Sequence, residues 1–306
     1  MNNSASSHSS VLPVQFIELM NINPDGVYID ATFGRGGHSQ LVLNNLSASG
    51  RLIAFDRDPE AVLHAKKLAE LDSRLEIVHS KFSAIPTAMP FLQRGIDGAF
   101  FDLGVSSPQL DDVDRGFSFK SDGPLDMRMD QTSGMTAEDW VNSASEKEIA
   151  RVLWTFGEER NSRKIAKKIV WYRGNKPIKT TKELANIVRS SGTRSHRIDS
   201  ATRSFQAIRI FINEEISELE QILNSVVEML SEGGRLLIIS FHSLEDRVVK
   251  RRFRELSQAI QKDSFSSDDQ LPQYKLLTRK PVMATNEEIN LNRRARSARL
   301  RGLERL

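Results

Sequence analysis

The chain has no cysteine. That excludes disulfides, thiolate zinc sites and a cysteine nucleophile, and it suits a reducing compartment such as the cytoplasm. No apolar run approaches the length that spans a bilayer. The first stretch, Met1 to Ser10, is polar and serine-rich; it reads as a frayed tail and not as a signal peptide. No internal repeat is visible. Nor is there a large excess of one charge: the net value is +3 over 306 residues. That length allows one large domain, or a large one with a smaller companion.

The charges are unevenly placed. One basic stretch carries Arg163, Lys164, Lys167, Lys168, Arg173, Lys176, Lys179, Lys182, Arg189, Arg194 and Arg197. A second holds Arg247, Lys250, Arg251, Arg252 and Arg254, and a third Arg293, Arg294, Arg296, Arg299, Arg301 and Arg305. Any one cluster reads first as a solvated helix face. Three together tilt the reading towards a polyanionic partner.

The organising stretch is Val27-Tyr28-Ile29-Asp30-Ala31-Thr32-Phe33-Gly34-Arg35-Gly36-Gly37-His38. An apolar run ends in three glycines and a helical pattern follows, which predicts strand, tight turn, helix. Glycine permits positive φ and lets backbone approach a ligand closely. The spacing is not the Gly-x-Gly-x-x-Gly of dinucleotide folds. The next predicted strand, Arg51 to Asp56, ends in an acid about twenty residues on, the spacing at which a carboxylate meets ribose hydroxyls. S-adenosylmethionine, a nucleoside with a small charged appendage, fits that pair. An ordinary α/β turn with a capping aspartate is an equal reading of the glycines alone; Asp56 at its place favours the cofactor.

Further strands are expected at Leu75 to His79 and Ile96 to Gly104, with helices at Pro13 to Met20 and Pro59 to Leu71 and a helix or connector at Pro86 to Arg94. The β-α-β order predicts a parallel sheet covered by helices, with ligands beyond the carboxyl ends of its strands. Gly34 to His38, Asp56, Phe82 and Asp102 would then share one edge. Phe82 suits either an adenine flank or a core position. Val105 to Asp130 has no clear period. Capping boxes at Ser145/Glu148 and Thr180/Glu183 open helices beyond it. Phe205 to Leu230 reads as one long helix closed by Glu232-Gly233-Gly234, followed by a strand at Arg235 to Phe241. His242 leads a basic helix, and on a helix it would share a face with Asp246. Gln258 to Asn292 looks variable, and Ser297 to Leu306 reads as a strand at a sheet edge. A metal site needs more ligands than this pattern supplies.

The chemistry of a methyl donor needs positioning and an electron-rich acceptor. Asp102 to Gln109 offers oxygen acceptors suited to an amino group. Ser106-Ser107-Pro108-Gln109 partly echoes the Asp/Asn/Ser-Pro-Pro-aromatic motif of amino-methylating enzymes, without the aromatic; a plain loop turn is the equal alternative.

Together, Asp30 to Ser39, Asp56 to Pro59, Asp102 to Asp111, Arg115 to Phe119, Gly123 to Asp130, Gly157 to Arg160, Thr202 to Ile210 and Ser240 to Arg247, with His8-x-x-Val11-Leu12, closely resemble the bacterial MraW family, the ribosomal RNA small subunit methyltransferases H. The resemblance covers nearly the whole chain. It implies an S-adenosylmethionine-dependent enzyme that methylates the exocyclic N4 of a cytidine in the decoding, P-site region of 16S rRNA. It implies a class I methyltransferase fold: a Rossmann-like, mostly parallel sheet over 1–109 and 201–306, with an inserted helical substrate-recognition domain over 110–200. Carried over, the cofactor contacts are Gly36, Gly37, His38, Asp56, Phe82, Asp102 and Gln109. Around the target amine stand Asp102, Ser106 and Ser107, with His242 nearby. The partner is 16S rRNA or the small ribosomal subunit; monomer and homodimer are not distinguished. A dehydrogenase would need the missing glycine spacing. A non-catalytic RNA-binding factor would need neither the glycine turn nor Asp56. A methyltransferase acting on protein or DNA is the nearest alternative.

Overall fold

The computed structural model describes residues 10–89, 95–191, 199–258 and 271–306. His8, most of the polar N-terminal tail, Pro90 to Arg94, Arg194 and Arg197 lie outside them. In chain order the elements are α1 (Pro13–Met20), β1 (Val27–Asp30), α2 (Gly37–Leu43), β2 (Arg51–Asp56), α3 (Pro59–Ala69), β3 (Leu75–His79), α4 (Ile85–Ala88) and β4 (Ile96–Asp102). Then follow α5 (Ser107–Asp111), α6 (Ala137–Ser143), α7 (Glu146–Gly157), α8 (Ser162–Arg173), α9 (Thr181–Arg189) and α10 (Ser200–Ile212). The chain closes with α11 (Glu215–Ser225), β5 (Leu230–Ser240), α12 (Ser243–Leu256), β6 (Tyr274–Leu276), α13 (Asn286–Leu291) and β7 (Arg299–Arg305).

These form two compact units, Met1–Gly104 with Ile216–Leu306, and Val105–Glu215. The first is a seven-stranded sheet in the order β3-β2-β1-β4-β5-β7-β6. β1 to β5 run parallel, and β7 pairs antiparallel with both β5 and β6. This is the class I methyltransferase arrangement that the resemblance implied. Alternate side chains supply its two faces, as the pleat requires. Ile29, Phe55, Phe101 and Ile238 pack with Leu219, Ile222 and Phe253 on one side. Tyr28, Ala54, Phe100 and Leu237 pack with Phe16, Val42 and Leu43 on the other. The N-terminal segment is tied in through the Leu12 amide, which donates to Glu288 Oε1 of α13 at 2.6 Å.

The second unit is helical. Its core joins Trp140, Ile149, Val152, Leu153, Ile165, Ile169, Leu184, Val188, Phe205 and Ile208. The expected capping box at Thr180/Glu183 is present, and Ser145 caps α7 through the Glu148 amide.

Four expectations change. Phe205 to Leu230 is not one helix. Glu214 adopts a left-handed φ of 55°, and the buried Asn213 accepts from the Met129 amide and donates to the Met127 and Arg209 carbonyls. α10 therefore belongs to the helical unit, and the boundaries fall at 104/105 and 215/216 instead of 109/110 and 200/201. β5 starts at Leu230, before the glycines: Leu230 pairs with Ile96, Arg235 with Gly98, and the register shifts between them. Gly233, at φ 76°, and Gly234, whose Cβ would stand 2.8 Å from the Ile96 carbonyl, make that irregularity possible. The last strand is interior, because β6 covers its outer side. Gln258 to Asn292 holds β6 and α13, with 259–270 outside the described residues.

Removing the Asn213 side chain would orphan a buried amide and a buried carbonyl, each worth about 1–3 kcal/mol. We expect Asn213→Ala to lower unfolding stability by about 2 kcal/mol or more in urea melts; a change within a few tenths would show that water replaces those bonds.

Candidate functional site

β1 is where the sheet reverses its order of growth: β2 and β3 lie to one side, β4 and β5 to the other. The segment leaving β1 is stitched to both neighbours. Ala31 donates to the Phe100 carbonyl and Phe33 to the Phe55 carbonyl. The Asp102 amide donates to Thr32 Oγ1 at 2.7 Å. A crevice of this kind beyond the strand ends is where open α/β sheets bind ligands.

The glycine turn follows. Gly34 has φ 54° and Gly36 φ 73°. A Cβ on Gly36 would meet the Phe33 ring at 2.6 Å, and one on Gly37 would meet Ser10 Oγ at 2.5 Å. The turn thus needs glycine for its own packing, before any ligand is considered. The Gly34 amide donates to Asp56 Oδ2 at 2.7 Å and the Asp58 amide to Asp56 Oδ1 at 2.8 Å. Burial lifts the Asp56 pKa to about 6, against the pull of those amides. Asp56 is therefore a fixed carboxylate that is anionic above that value, suited to receive hydroxyl donors. Phe82 lies just past β3, half-buried, with its ring edge-on to Phe101 at 5.6 Å.

The His38 side chain faces inward, so a cofactor contact at this position would run through its backbone. It is buried against Phe16, at 4.7 Å between ring centres. Nε2 lies 2.9 Å from the Val11 carbonyl and Nδ1 3.3 Å from Asp102 Oδ2. Both partners only accept, so both ring nitrogens serve best as donors. Burial opposes the charge, but Asp102 and the Val11 carbonyl outweigh it, and the pKa is raised. Asp102 Oδ1 is buried and meets no hydrogen-bond donor.

Asp30 sits behind this pair, at 1% exposure. Its oxygens accept from the Thr32 amide at 3.0 Å and Ser39 Oγ at 2.6 Å. Burial still pushes its pKa to about 7. Sequence reasoning quoted Asp30 without giving it a task. The available signal was an acid closing a strand whose other residues are apolar.

His242 is also committed. It is the N-cap of α12, its Nδ1 accepting from the Glu245 amide at 3.3 Å. Nε2 stands 3.1 Å from Glu245 Oε1. Asp246 does not share a task with it: that carboxylate holds Arg301 at 2.7 Å and Arg299 at 3.4 Å. Gly36, Gly37, His38, Asp56, Phe82, Asp102 and His242 thus all belong to the sheet unit, just past or at strand ends. Ser106, Ser107 and Gln109 belong to the helical unit. There Gln109 Oε1 accepts from the Ser106 amide at 2.9 Å as part of the cap of α5.

The family model of the MraW methylases matches residues 5–306. The chain belongs to the MraW methylase family. A ribosomal RNA small subunit methyltransferase H of Chromobacterium violaceum is 49% identical over 97% of this chain and 95% of its own. The protein of that name from Neisseria meningitidis serogroup B is 48% identical over 97% of this chain and 92% of its own. Among solved structures, a candidate rRNA methylase of Clostridium thermocellum covers 97% of this chain and 98% of its own at 12% identity, with a TM-score of 0.47. For this MraW chain, no helix among the described residues is long and apolar enough to cross a membrane.

The Asp30 pKa sets a pH dependence. A folded value near 7 against an ordinary 3.8 means that the fold favours the protonated acid. Its contribution is fully present below 3.8 and is lost as pH rises through about 7. Asp30→Asn should flatten the fall in melting temperature between pH 4 and 7. Superimposable profiles of variant and parent would contradict this assignment.

Proposed function

We propose that this MraW chain transfers a methyl group from S-adenosylmethionine to the exocyclic N4 of a cytidine in the decoding region of 16S rRNA, acting in the cytoplasm. The observation that carries it is Asp102: a carboxylate 3.3 Å from the buried His38 ring, with one oxygen that has no donor, at the end of the strand beside the glycine turn.

The residues suit the cofactor. Asp56, braced by two backbone amides, would take the ribose hydroxyls. Phe82 would flank the adenine. The cofactor supplies an electrophilic methyl on a sulfonium. The chain's own work is alignment and electrostatics. A cytosine amine is a weak nucleophile because its lone pair is delocalised into the ring. A hydrogen bond from that amine to Asp102 Oδ1 would raise its electron density and fix its direction. His38 is a positioning residue: it orients Asp102 from 3.3 Å away. Gly36, Gly37, Ser106, Ser107 and Gln109 enter this reading on the resemblance, as does a site role for His242. The helical unit is assigned to RNA recognition.

A methyltransferase acting on DNA or protein shares the same cofactor logic. Labelled cofactor offered to small-subunit rRNA, assembled subunits, DNA and protein should mark the RNA, and nuclease digestion should release N4-methylcytidine; label on another base or another polymer would refute the reading. Asp102→Ala should lower kcat about a hundredfold or more.

Cofactor affinity should weaken on acidification below about pH 6, where Asp56 gains its proton, and Asp56→Asn should abolish that dependence. Calorimetric titration with the cofactor product checks it. Unchanged pH dependence in the variant would remove Asp56 from the ribose site.

A further inference from the structure

Three tryptophans occur in the chain, and they are treated differently. Trp140 is 2% exposed in the core of the helical unit; Trp154 and Trp171 are 60% and 67% exposed. A tryptophan left in water forgoes a large apolar contact. Both sit on the helical hairpin α7–α8, on the side of each helix away from its buried residues. In α7 the buried side is Ile149, Val152, Leu153 and Gly157, and the opposite stripe reads Lys147, Arg151, Trp154. In α8 the buried side is Ile165, Ala166 and Ile169, and the opposite stripe reads Lys164, Lys167, Trp171, with Arg160 just before the helix. The two stripes repeat one pattern: two cations and then an indole, the first cation two helical turns from the tryptophan, about 10 Å along the axis.

All of these cations are exposed and form no ion pair or hydrogen bond among the described residues. That separates them from four other cations of the basic stretch. Lys168 donates to the Ser190 carbonyl, Arg173 to the Val141 and Ala144 carbonyls, Lys176 pairs with Glu183, and Arg189 with Asp199. Those side chains hold the unit together. The stripe cations are spare.

We infer that the α7–α8 stripes are a docking track for single-stranded RNA, with Trp154 and Trp171 as platforms on which unpaired bases stack and the flanking cations as phosphate contacts. The inference rests on the reading of RNA as substrate and names the surface that grips it. Backbone-tracking cations alternating with aromatic faces are what strand binding without sequence preference requires. The commitment to RNA over a protein partner rests on charge: within the two helices neither stripe carries an acid, and exposed Glu158 stands only at the cap that ends α7.

The test is direct binding of a short, labelled oligocytidylate to the full chain, followed by anisotropy at several salt concentrations. Trp171→Ala and Trp154→Ala should each weaken binding about tenfold without changing the salt slope, and Trp→Phe should recover most of it. Lys164→Ala and Lys167→Ala should instead lower the slope by about one each. Calorimetric affinity for the cofactor product and the thermal unfolding of the full chain should not move in any variant, which shows that both units are folded. Wild-type oligonucleotide affinity in the double tryptophan variant overturns the track, whether or not rRNA is methylated. So does a loss confined to assembled subunits, which would mean that a ribosomal protein is the partner. A parent that methylates no RNA at all would instead overturn the proposed substrate.

Discussion

A buried imidazole beside a partly exposed carboxylate governs the rim of the sheet. His38 and Asp102 face each other 3.3 Å apart. Removing Asp102 would take away the neighbour that raises the His38 pKa. The pair therefore fixes more than a contact. It sets the position of α2 against β4, and with it the path of the glycine turn that leads from β1 into α2. Asp30 adds a third ionisable group to the same pocket, kept near neutrality by desolvation. A rim built this way has few degrees of freedom, which is what in-line group transfer asks of its frame.

The sheet was legible because its strands are strongly periodic and end in acids or glycines: β2 and β3 fall where the residues placed them. Other features were hidden for physical reasons. Apolar spacing runs on through Asn213 and Glu214, so nothing local announces that one helix becomes two; the break is imposed by tertiary bonds to the Met127 to Met129 segment. β6 spans only Tyr274–Leu276, too short to show alternation. Gly233 and Gly234 suggested a helix stop, whereas they allow β5 to shift register against β4.

The site was half legible. Asp56 and Asp102 lie at strand ends as their positions demanded. The role of His38 could not be read, because its partners, Val11 and Asp102, are far away in the chain. Glycine was recognised for the right freedom and partly the wrong cause: Phe33 and Ser10 crowd Gly36 and Gly37 from within. Charge clusters proved the least informative signal. Arg301 is buried against Asp246, and Arg305 donates to the Glu228 and Leu230 carbonyls. Such residues look like phosphate ligands in a sequence and act as struts in the fold.

The backbone carbonyl that fixes His38 belongs to Val11, and the very next amide is anchored on Glu288. α13 thus anchors the segment whose preceding carbonyl meets the imidazole. Any trimming or fusion that reaches Val11, or any lesion in α13 that frees Leu12, would act on protonation at the rim from a distance. Activity could be lost that way with every rim side chain intact.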